Sequence, residues 1–508
     1  MPKMSVQQRA NIMYKCFEIS EILEVIIDHV FMSSEGMEGM RAVVALALTC
    51  RDFLDPALNR LWHSQESLNP LIRTLPPTAW AFYGKSVVTI VRPLLPDDWT
   101  RFRQYASRIK VFGCDPRHPE GSLHSYAALN YTLLEAFVAQ HPCLPLLPSL
   151  RHLHWSSGKM DPKTLPYVPL IAAPTLNTVS LDFTHHLRRD DARAFTTALI
   201  RSIRLHCPDL TRFLVNELQS HTRPVIGTAL RRWLAQKRQY VPSLAFRDVM
   251  NLAGMRFLRE AQLFLDDTDM GAVHDATALT FSSLRVLELH ARTLGVCLAL
   301  LKTIRSCELE VLSIYVNERP VADLIFSLLS ELRTVCDPAS LHNVTLLDTA
   351  DDDYIPDRSW GGDMPSRYRA FVVDAHTLAP LAAFTQLRSL VVEFSAIYDM
   401  QETSLARMLS AWPQLEVFSL GAMHGWHAAS PLTFSGLARM LTLCPQLRAC
   451  GLALGSSHLE LDVAACRAGE LRPNHSVTTL CLAVREGTDE LLLAECVQYL
   501  FPNLRCFE

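Results

Sequence analysis

The chain has 508 residues, of which 49% are hydrophobic and 20% are charged. A chain of this length and composition can bury a sizeable core, divided among several domains or arranged as a repeat array, and is not disordered throughout. The formal net charge of -4 argues against binding to nucleic acid or to an anionic membrane surface, because such proteins usually carry a basic face.

Targeting and redox features of the sequence predict an intracellular protein. No apolar run approaches the roughly 18 residues that a membrane-spanning helix needs. The N-terminal sequence MPKMSVQQRANIMYK also lacks the apolar core and the cleavage site of a signal peptide. We therefore expect a cytoplasmic or nuclear location, in which the 14 cysteines are reduced. None forms a CxxC pair, so we expect them to serve mainly as small buried side chains.

After a predicted tail over residues 1–16, the first predicted element is an amphipathic helix. The run FEISEILEVIIDHV (17–30) carries apolar residues at the spacing of one helix face over three turns. These residues are Ile19, Ile22, Leu23, Ile26, Ile27 and Val30. Ser20 is expected to cap the N-terminus of this helix, and Glu21 and Glu24 suit the positive end of the helix dipole.

A second stretch completes a predicted helical module over residues 17–72. Residues 41–72 read RAVVALALTCRDFLDPALNRLWHSQESLNPLI, apolar in the first half and dotted with large apolar residues afterwards. We expect Pro56 to lie in the first turn of a new helix, where its missing N–H costs nothing. A module of about 50 residues buries so little surface that its stability on its own is marginal. Part of the apolar surface should therefore meet the rest of the chain or another protein.

From residue 73 to residue 508 one short pattern recurs, which is Leu, two spacers, an apolar residue, one spacer and an apolar residue. Copies include PSLRHLHW (148–155), PTLNTVSLDF (174–183), CPDLTRFLV (207–215), SSLRVLELHA (282–291), LEVLSIYV (309–316), ASLHNVTLLD (339–348), TQLRSLVVEF (385–394), WPQLEVFSLGA (412–422), CPQLRACGLAL (444–454), NHSVTTLCLAV (474–484) and FPNLRCFE (501–508). Intervals of about 25 to 34 residues separate most neighbouring copies, and a period in this range is typical of a solenoid.

The spacing inside each copy predicts a short strand, because the last two apolar residues are two apart and share one face. In the copies at 412–422 and 444–454 the predicted core residues are Leu415, Phe418, Leu420, Leu447, Cys450 and Leu452. Between copies, segments such as SLARMLSAW (404–412) and VADLIFSLLSELRTV (321–335) have helical periodicity. We predict an α/β fold in which the small all-helical module precedes a chain that resembles an irregular leucine-rich-repeat solenoid, with a curved parallel sheet inside and helices outside. A doubly wound α/β domain is the alternative.

The spacers beside the inward apolar pair are expected to face the concave side of the solenoid. Early copies offer His152, His154, Asp182, Arg212 and Asn216, and middle copies offer Glu288, His290, Ser313, Tyr315 and Glu393. Late copies offer the small residues Ser419, Gly421, Ala449, Gly451 and Ala453, then Thr479, Cys481 and Ala483. Small residues either permit tighter curvature or let a partner approach the backbone. We predict target binding by His152, His154, Glu288, His290, Tyr315, Glu393, Ser419 and Gly451.

Motifs for chemistry are missing from the sequence. It contains no GxSxG, HExxH, phosphate-binding or dinucleotide-binding motif, so we expect neither catalysis nor a cofactor. His152 and His154 share a strand face, but no third ligand follows, and no metal site is predicted. Two segments, 114–125 and 351–369, are too rich in Pro, Gly and charge for regular structure. In the second, Tyr354, Trp360 and Tyr368 suit an interface.

The helical module resembles the F-box. The residues that carry the resemblance are the Glu21-Ile22-Leu23 sequence in the first helix, the LALTCRDF block (46–53) and the PALNRLW block (56–62). Together with the degenerate repeats and the segment WTRFRQYASRIKVF (99–112), they make the chain similar to the large fungal, basidiomycete-type family of F-box proteins. The chain departs from the family at Ser20, where the family usually has Pro.

The resemblance implies a partner for the module, since an F-box packs on a Skp1-like adaptor that links it to a cullin–RING ubiquitin ligase. The residues that match the family's adaptor-binding positions are Ile22, Leu23, Ile26, Leu46, Thr49, Cys50, Phe53, Leu61 and Trp62. The alternative for each is a place in the internal core of a three-helix cap on the solenoid.

The implied function is that of a substrate-recognition subunit of an SCF-type (Skp1–cullin–F-box) ubiquitin ligase. Such a subunit does no chemistry itself, and its expected partners are the adaptor and an unidentified target protein. A leucine-rich-repeat interaction scaffold without a ligase role is the alternative, which Ser20 keeps open. An enzyme with an unrecognised site is a third possibility, disfavoured because the motifs are missing.

Overall fold

The computed structural model divides the chain into two compact units, Met1–Leu210 and Thr211–Glu508. The structure describes residues 19–33, 37–83, 87–113, 131–141, 145–156, 167, 170–182, 189–215, 244–265, 279, 281–305, 307–350, 366–423, 430–455, 458–484 and 488–507. The predicted tail over 1–16 and the segment 114–125 lie outside the described residues. So do Asn216, Tyr354 and Trp360, whereas Ser366–Arg369, at the end of the second polar segment, forms a short helix.

The first unit begins with three packed helices, α1 (Ser20–Met32), α2 (Met37–Ala47) and α3 (Arg51–Trp62). Ile27, Val43 and Ala57 form their fully buried centre. The predicted cap is wrong, because the helix begins at Ser20 and Ile19 is the N-cap, without a side-chain hydrogen bond. The Ser20 hydroxyl instead donates to the Glu21 carboxylate.

Pro56 does not start a new helix, so that prediction is also wrong. It lies inside α3, where its side chain is buried next to Ala57. A proline inside a helix removes one main-chain donor and crowds the preceding turn. Here the helix nevertheless continues to Trp62, and packing of the buried residues on the other two helices offsets that cost.

The rest of the first unit alternates strands and helices, with one antiparallel hairpin. Its elements are β1 (Ser64–Gln65), α4 (Asn69–Ile72), β2 (Trp80–Tyr83), β3 (Val87–Ile90), α5 (Trp99–Ala106), β4 (Val111–Phe112), α6 (Tyr131–Gln140), β5 (His152–Ser156), β6 (Thr178–Asp182) and α7 (Arg189–His206). Within this unit β1, β4, β5 and β6 follow one another in a parallel sheet, and β2 pairs with β3. β1 lies inside the range 17–72 that the sequence assigns to the helical module.

The second unit repeats the strand–helix alternation over a longer sheet. Its strands are β7 (Arg212–Val215), β8 (Glu260–Phe264), β9 (Val286–Ala291), β10 (Val311–Val316), β11 (Asn343–Asp348), β12 (Val372–Asp374), β13 (Ser389–Glu393), β14 (Ile397–Asp399), β15 (Val417–Leu420), β16 (Ala449–Ala453), β17 (Thr479–Ala483) and β18 (Cys506–Phe507). Its helices are α8 (Phe246–Ala253), α9 (Leu294–Thr303), α10 (Ala322–Val335), α11 (Ser366–Arg369), α12 (Ala375–Leu378), α13 (Glu402–Leu409), α14 (Phe434–Leu441), α15 (Leu459–Arg467) and α16 (Glu490–Leu500).

Strand order in the second unit follows chain order, apart from a separate pair. The sheet runs β7, β8, β9, β10, β11, β13, β15, β16, β17 and β18, and β12 pairs with β14 beside it. Every assigned pairing in this sheet is parallel. Strands that add in sequence order with intervening helices are the architecture of a repeat solenoid. The predicted α/β fold is confirmed.

The repeating core consists of the apolar residues that the pattern identified. Leu415, Phe418 and Leu420 of one copy, and Leu447, Cys450 and Leu452 of the next, are at most 2% exposed, as predicted. The stripe of the segment before the first copy, Leu405, Met408, Leu409 and Trp412, is buried as well, and the Trp412 indole N–H donates to the Leu381 carbonyl at 3.3 Å. Large buried side chains of this kind contribute most of the burial energy of each repeat.

Buried thiols make the stability of the second unit depend on pH. Burial raises the pKa of Cys450 from 9.0 to about 12, so this thiol stays protonated in the folded chain while the unfolded chain ionises near pH 9. The contribution of this thiol to the free energy of unfolding is therefore complete below pH 9. As the pH rises from 9 towards 12, the free energy of unfolding falls by up to about 1.4 kcal/mol per pH unit. Urea unfolding between pH 7 and 10.5 should show a smaller decline above pH 9 in Cys450→Ala than in the native chain. Equal declines in both proteins would contradict this assignment.

Among the described residues, no helix is both long enough and apolar enough to cross a bilayer.

Candidate functional site

The first candidate site is the three-helix module, where the structure separates inner from outer residues. Of the predicted adaptor-binding residues, Leu23 is buried and only 3% exposed. Leu46, Phe53 and Leu61 are half-buried and pack on the module's own centre. The remaining predicted residues are Ile26 and Trp62, which are half-buried, and Ile22, Thr49 and Cys50, which are exposed. Adaptor binding by these residues stays a prediction.

The same helices expose a set of apolar side chains that the sequence reading did not single out as a surface. Val25 is 68% exposed and Leu48 is 82% exposed. The others with at least 36% exposure are Ile19, Ile22, Met32, Met40, Val44 and Leu54. Helical spacing puts Ile22 with Val25, and Met40 with Val44, on shared helix faces, and grouped apolar exposure is typical of a protein-binding surface. We call these eight residues the apolar face of the module.

Polar and aromatic contacts hold the helices of the module together and tie α3 to later residues of the first unit. The Arg60 guanidinium pairs with Asp28 at 2.9 Å and lies over the Phe31 ring at 3.9 Å. On the other side of α3, Arg108 pairs with Asp55 at 2.6 Å. Trp62 stacks on Tyr105 with ring centroids 4.6 Å apart. Trp62 is therefore engaged inside the chain, which accounts for its half-buried state.

The second candidate site is the face of the sheet that carries the spacer residues, which we call the spacer face. Strand register places one residue of each strand in a continuous row, and those residues are Gln262, Glu288, Ser313, Thr345, Val391, Ser419, Gly451 and Cys481. The parallel row beside it begins with Phe264, His290, Tyr315, Leu347 and Glu393. The prediction that the spacers share one face of the sheet is confirmed for these strands.

The expectation that this face is open is wrong for most of it. Ser419 is fully buried, Glu393 is 1% exposed, and Glu288, Tyr315 and Gly451 are buried as well. A second apolar cluster lies here, made of Tyr315, Leu347, Val391, Val417, Ala422, Met423, Ala449 and Cys481. Parallel sheets are commonly covered on both faces. Target binding by these residues stays a prediction, and it would require the residues that cover the face to move.

At the β8–β10 end, the spacer face carries a buried polar chain instead of free charges. The Gln262 side-chain amide accepts the Val215 N–H at 3.0 Å and donates to Glu288 Oε1 at 2.6 Å. The same carboxylate oxygen lies 2.6 Å from His290 Nε2. Buried charges of this kind are tolerated because each receives hydrogen bonds. In the structure Glu288 and His290 therefore bind each other, whereas the sequence predicted that both bind a target.

His290 is also the centre of an aromatic stack across three strands. Its ring lies 4.1 Å from the Phe264 ring and 4.6 Å from the Tyr315 ring, measured between centroids. Burial and the nearby Glu288 carboxylate raise the pKa of Tyr315 well above its ordinary value. The phenol is therefore a neutral, rigid part of the face at any physiological pH.

Towards β15, two carboxylates fix the turns that follow neighbouring strands. Glu393 accepts the Ser419 hydroxyl and the backbone amides of Ala422 and Met423, the amides at 3.2 and 2.9 Å. One strand earlier, Asp348 accepts the amide and the hydroxyl of Ser395 at 2.7 and 2.8 Å. We call these two arrangements carboxylate clamps. In each, an acid that ends one strand accepts a backbone amide from the turn after the next strand of the sheet.

The clamp at Glu393 explains one of the small residues of the late copies, Gly451. A side-chain carbon added at Gly451 would meet the Ser419 hydroxyl and would lie 3.1 Å from Ala422 Cβ. The small residue at this position therefore makes room for the chain's own turn over residues 421–423. At Gly451 this is a third explanation, beside the tighter curvature and the close approach of a partner that the sequence left open.

Gly421 offers a direct test of that turn. Its φ of +58° lies in the left-handed region, and a Cβ here would press into the Tyr398 ring. Gly421→Ala should therefore lower the free energy of unfolding by about 1–3 kcal/mol. Gly295→Ala in α9 is the matched control, since its Cβ would lie 3.7 Å from the nearest atom, and it should leave stability unchanged or raised by up to about 1 kcal/mol. Similar urea midpoints for both variants would contradict the packing of this turn.

The early candidates lie on the first unit's sheet and on β7. His152 is half-buried and His154 is 4% exposed. Strand register puts the two histidines level with Thr178 and Ser180 of β6. Arg212 is paired with Glu260 on the neighbouring strand, so it too serves an internal contact. Among the described residues, no group of three His, Cys, Asp or Glu side chains is placed to hold a metal ion.

Similarity to known proteins is low. No family model matches the chain, and no curated protein matches it. Among solved structures, it is similar to a chain in the crystal structure of the Rad7 and Elc1 complex from yeast, at 13% identity and a TM-score of 0.31 over 74% of this chain and 81% of that chain. It is also similar to a Bacteroides fragilis protein, at 12% identity and a TM-score of 0.23 over 66% of each chain. The two TM-scores, 0.31 and 0.23, are too low for either likeness to bear on the fold or the function of this chain.

Proposed function

We propose that the chain is the substrate-recognition subunit of an SCF-type (Skp1–cullin–F-box) ubiquitin ligase. The three-helix module binds a Skp1-like adaptor, and the repeat region holds a target protein. The observation that supports this most is the apolar face of the module, above all Val25 and Leu48, which are 68% and 82% exposed. The module already has its own buried centre, and among the described residues these further apolar side chains remain exposed.

The chemistry of such a subunit lies elsewhere in the complex. The adaptor contact brings the chain to a cullin–RING ligase, and the target contact brings a lysine of the target near the activated ubiquitin. Holding two reactants together converts a bimolecular encounter into an effectively unimolecular one, which can lower the barrier by several kcal/mol. The chain itself then needs binding surfaces and no catalytic residue.

The target surface is the less defined of the two. The clamped part of the spacer face is closed, which favours the half-buried candidates, namely His152 on β5 in the first unit and His290 on β9 in the second. Binding by these residues would leave Glu393 and Ser419 in the supporting role that their hydrogen bonds indicate. The identity of the target does not follow from these residues.

Co-expression with a Skp1-like adaptor tests the proposal. The full chain should co-elute with the adaptor in size-exclusion chromatography as a 1:1 complex. If the chain elutes alone while a known F-box protein retains the same adaptor, the ligase role is excluded. The interaction scaffold without an adaptor would then be the better explanation of the repeat region.

A further inference from the structure

Two cysteines of consecutive repeats lie side by side. Cys307, just before β10, and Cys336, at the C-terminal end of α10, form an isolated parallel bridge between neighbouring repeats. The Cys307 amide donates to the Val335 carbonyl at 2.8 Å, and the Asp337 amide donates to the Cys307 carbonyl at 3.2 Å. Main-chain hydrogen bonds on both sides of Cys336 therefore fix the register of the pair.

This register places the two thiols within reach of each other. Residues paired in parallel strands have Cα atoms about 4.8 Å apart and side chains on the same face, and a disulfide needs a Cα separation of about 4.4–6.8 Å. The thiols already share a hydrogen bond. Both residues are 4% exposed, so a small oxidant reaches them more easily than a bulky one.

The thiols of Cys307 and Cys336 also differ in acidity. The hydrogen bond from Cys336 lowers the pKa of the Cys307 thiol. The same contact raises the pKa of Cys336. A thiolate is the reactive form of cysteine, so Cys307 is the nucleophile and Cys336 the resolving thiol.

Other cysteines in the second unit lack this combination. Burial raises the pKa of Cys450, and its in-register neighbours on β15 and β17 are Phe418 and Leu480. Cys466 and Cys496 contact each other from neighbouring helices α15 and α16. The same kind of thiol contact joins this pair, but no strand register fixes the two helices against each other, so we expect it to cross-link more slowly. Cys466 and Cys496 are therefore the internal control.

We propose that Cys307 and Cys336 form a redox-sensitive dithiol that hydrogen peroxide converts into an intramolecular disulfide. The Cys307 thiolate attacks one peroxide oxygen, which breaks the O–O bond and gives a sulfenic acid and hydroxide. The Cys336 sulfur then attacks the sulfenic sulfur, forms the S–S bond and releases water. Overall, two thiols and one peroxide give one disulfide and two waters, and the two sulfurs supply the two electrons that reduce the peroxide.

The bond would tie the entry to β10 to the end of α10. A covalent link between consecutive repeats restricts their separation in partly unfolded states. The segment from residue 307 to β11 should then open less often after oxidation, and reduction should reverse the effect.

Peptide mapping of the full chain tests the proposal. After treatment with hydrogen peroxide and blocking of remaining thiols with N-ethylmaleimide, mass spectrometry should find a cross-linked peptide that joins Cys307 to Cys336 before any that joins Cys466 to Cys496. Dithiothreitol should remove the link, and Cys336→Ser should replace it by sulfenic acid on Cys307. Amide hydrogen exchange in residues 307–348 should slow by about tenfold in the oxidised chain.

Several outcomes would overturn it. One is oxidation of other cysteines while no peptide links Cys307 to Cys336. Another is a link between Cys466 and Cys496 that forms at the same rate. Unchanged amide exchange in residues 307–348 would contradict the prediction that this segment opens less often after oxidation. If Cys336→Ser fails to fold, Cys307→Ala gives the second test, in which the native chain's exchange response to peroxide should be lost.

Discussion

Leu48→Asp should abolish co-elution with a Skp1-like adaptor while leaving the fold intact. Leu48 is 82% exposed in the free chain, so a carboxylate there is solvated and costs the free protein little. In a complex the same carboxylate would be buried without a partner in an apolar contact. Such a burial typically weakens binding by about 2 kcal/mol or more, and we expect the dissociation constant to rise by at least about 30-fold. Val25→Asp should act in the same direction.

The second unit offers controls of equal exposure for both substitutions. Leu491 is 82% exposed and Leu461 is 68% exposed, matching Leu48 and Val25. Leu491→Asp and Leu461→Asp should leave adaptor binding unchanged. A comparable loss of binding in these controls, or retention of binding by Leu48→Asp, would show that the apolar face of the module is not the adaptor site.

The structure also explains why Leu23→Asp would be a poor test. Leu23 is 3% exposed, so a carboxylate there would be buried in the free module. Loss of binding by that variant would not distinguish a lost contact from a lost fold. The exposed positions avoid this ambiguity.

Asp348→Ala should be among the most destabilising single substitutions in the second unit. Its carboxylate is 1% exposed and accepts the Ser395 amide, the Ser395 hydroxyl and the Ala350 amide. Removing it leaves buried donors without an acceptor, and hydrogen bonds to charged groups contribute about 1.5–3 kcal/mol each. We expect the free energy of unfolding to fall by about 3–5 kcal/mol in urea unfolding.

Asp348→Asn is the conservative partner of this test, since its amide oxygen can still accept one of the hydrogen bonds. It should lose less stability than Asp348→Ala. Asp399, at the end of β14, is exposed, and Asp399→Ala should change stability by no more than about 0.5 kcal/mol. Equal effects at Asp348 and Asp399 would mean that the clamp does not hold the turn after β13.

Most strands were predictable because their apolar anchors are local. The copies at 412–422 and 444–454 place all six anchors in the core. The sequence did not predict β8, because its middle anchor, between Leu258 and Leu263, is Ala261, and a small residue weakens the pattern. It did not predict β4 either, because the pattern stops at Gly113, where a side chain would meet the His154 backbone.

The spacer face could not be predicted to the same degree. Which residues share a face follows from strand periodicity, but what covers that face depends on contacts that are distant in sequence. Glu393 reads as a free charge on a strand until the turn with Ala422 and Met423 returns to it, about thirty residues later. The one sequence signal for a clamp is an acid at the end of a buried strand, as in VTLLD and LVVE.

The helical module shows a similar limit. Periodicity identified its helices, and the resemblance to the F-box grouped Leu23, Ile26 and Leu61 with Ile22 as adaptor residues. Neither reveals which stripe of a helix its neighbours cover. Packing of α2 and α3 on α1 decides this, and it leaves Val25 outside. Ser20 and Pro56 were misplaced because helix ends depend on the main-chain bonds of a residue or two.

Hydrogen exchange of the full chain with and without a Skp1-like adaptor tests the central claim most directly, because it locates the contact as well as detecting it. The account predicts slower amide exchange confined to residues 20–62, strongest around Val25 and Leu48, with no change across β9–β17. Unchanged exchange in residues 20–62, or protection that falls on the repeat region instead, would contradict it.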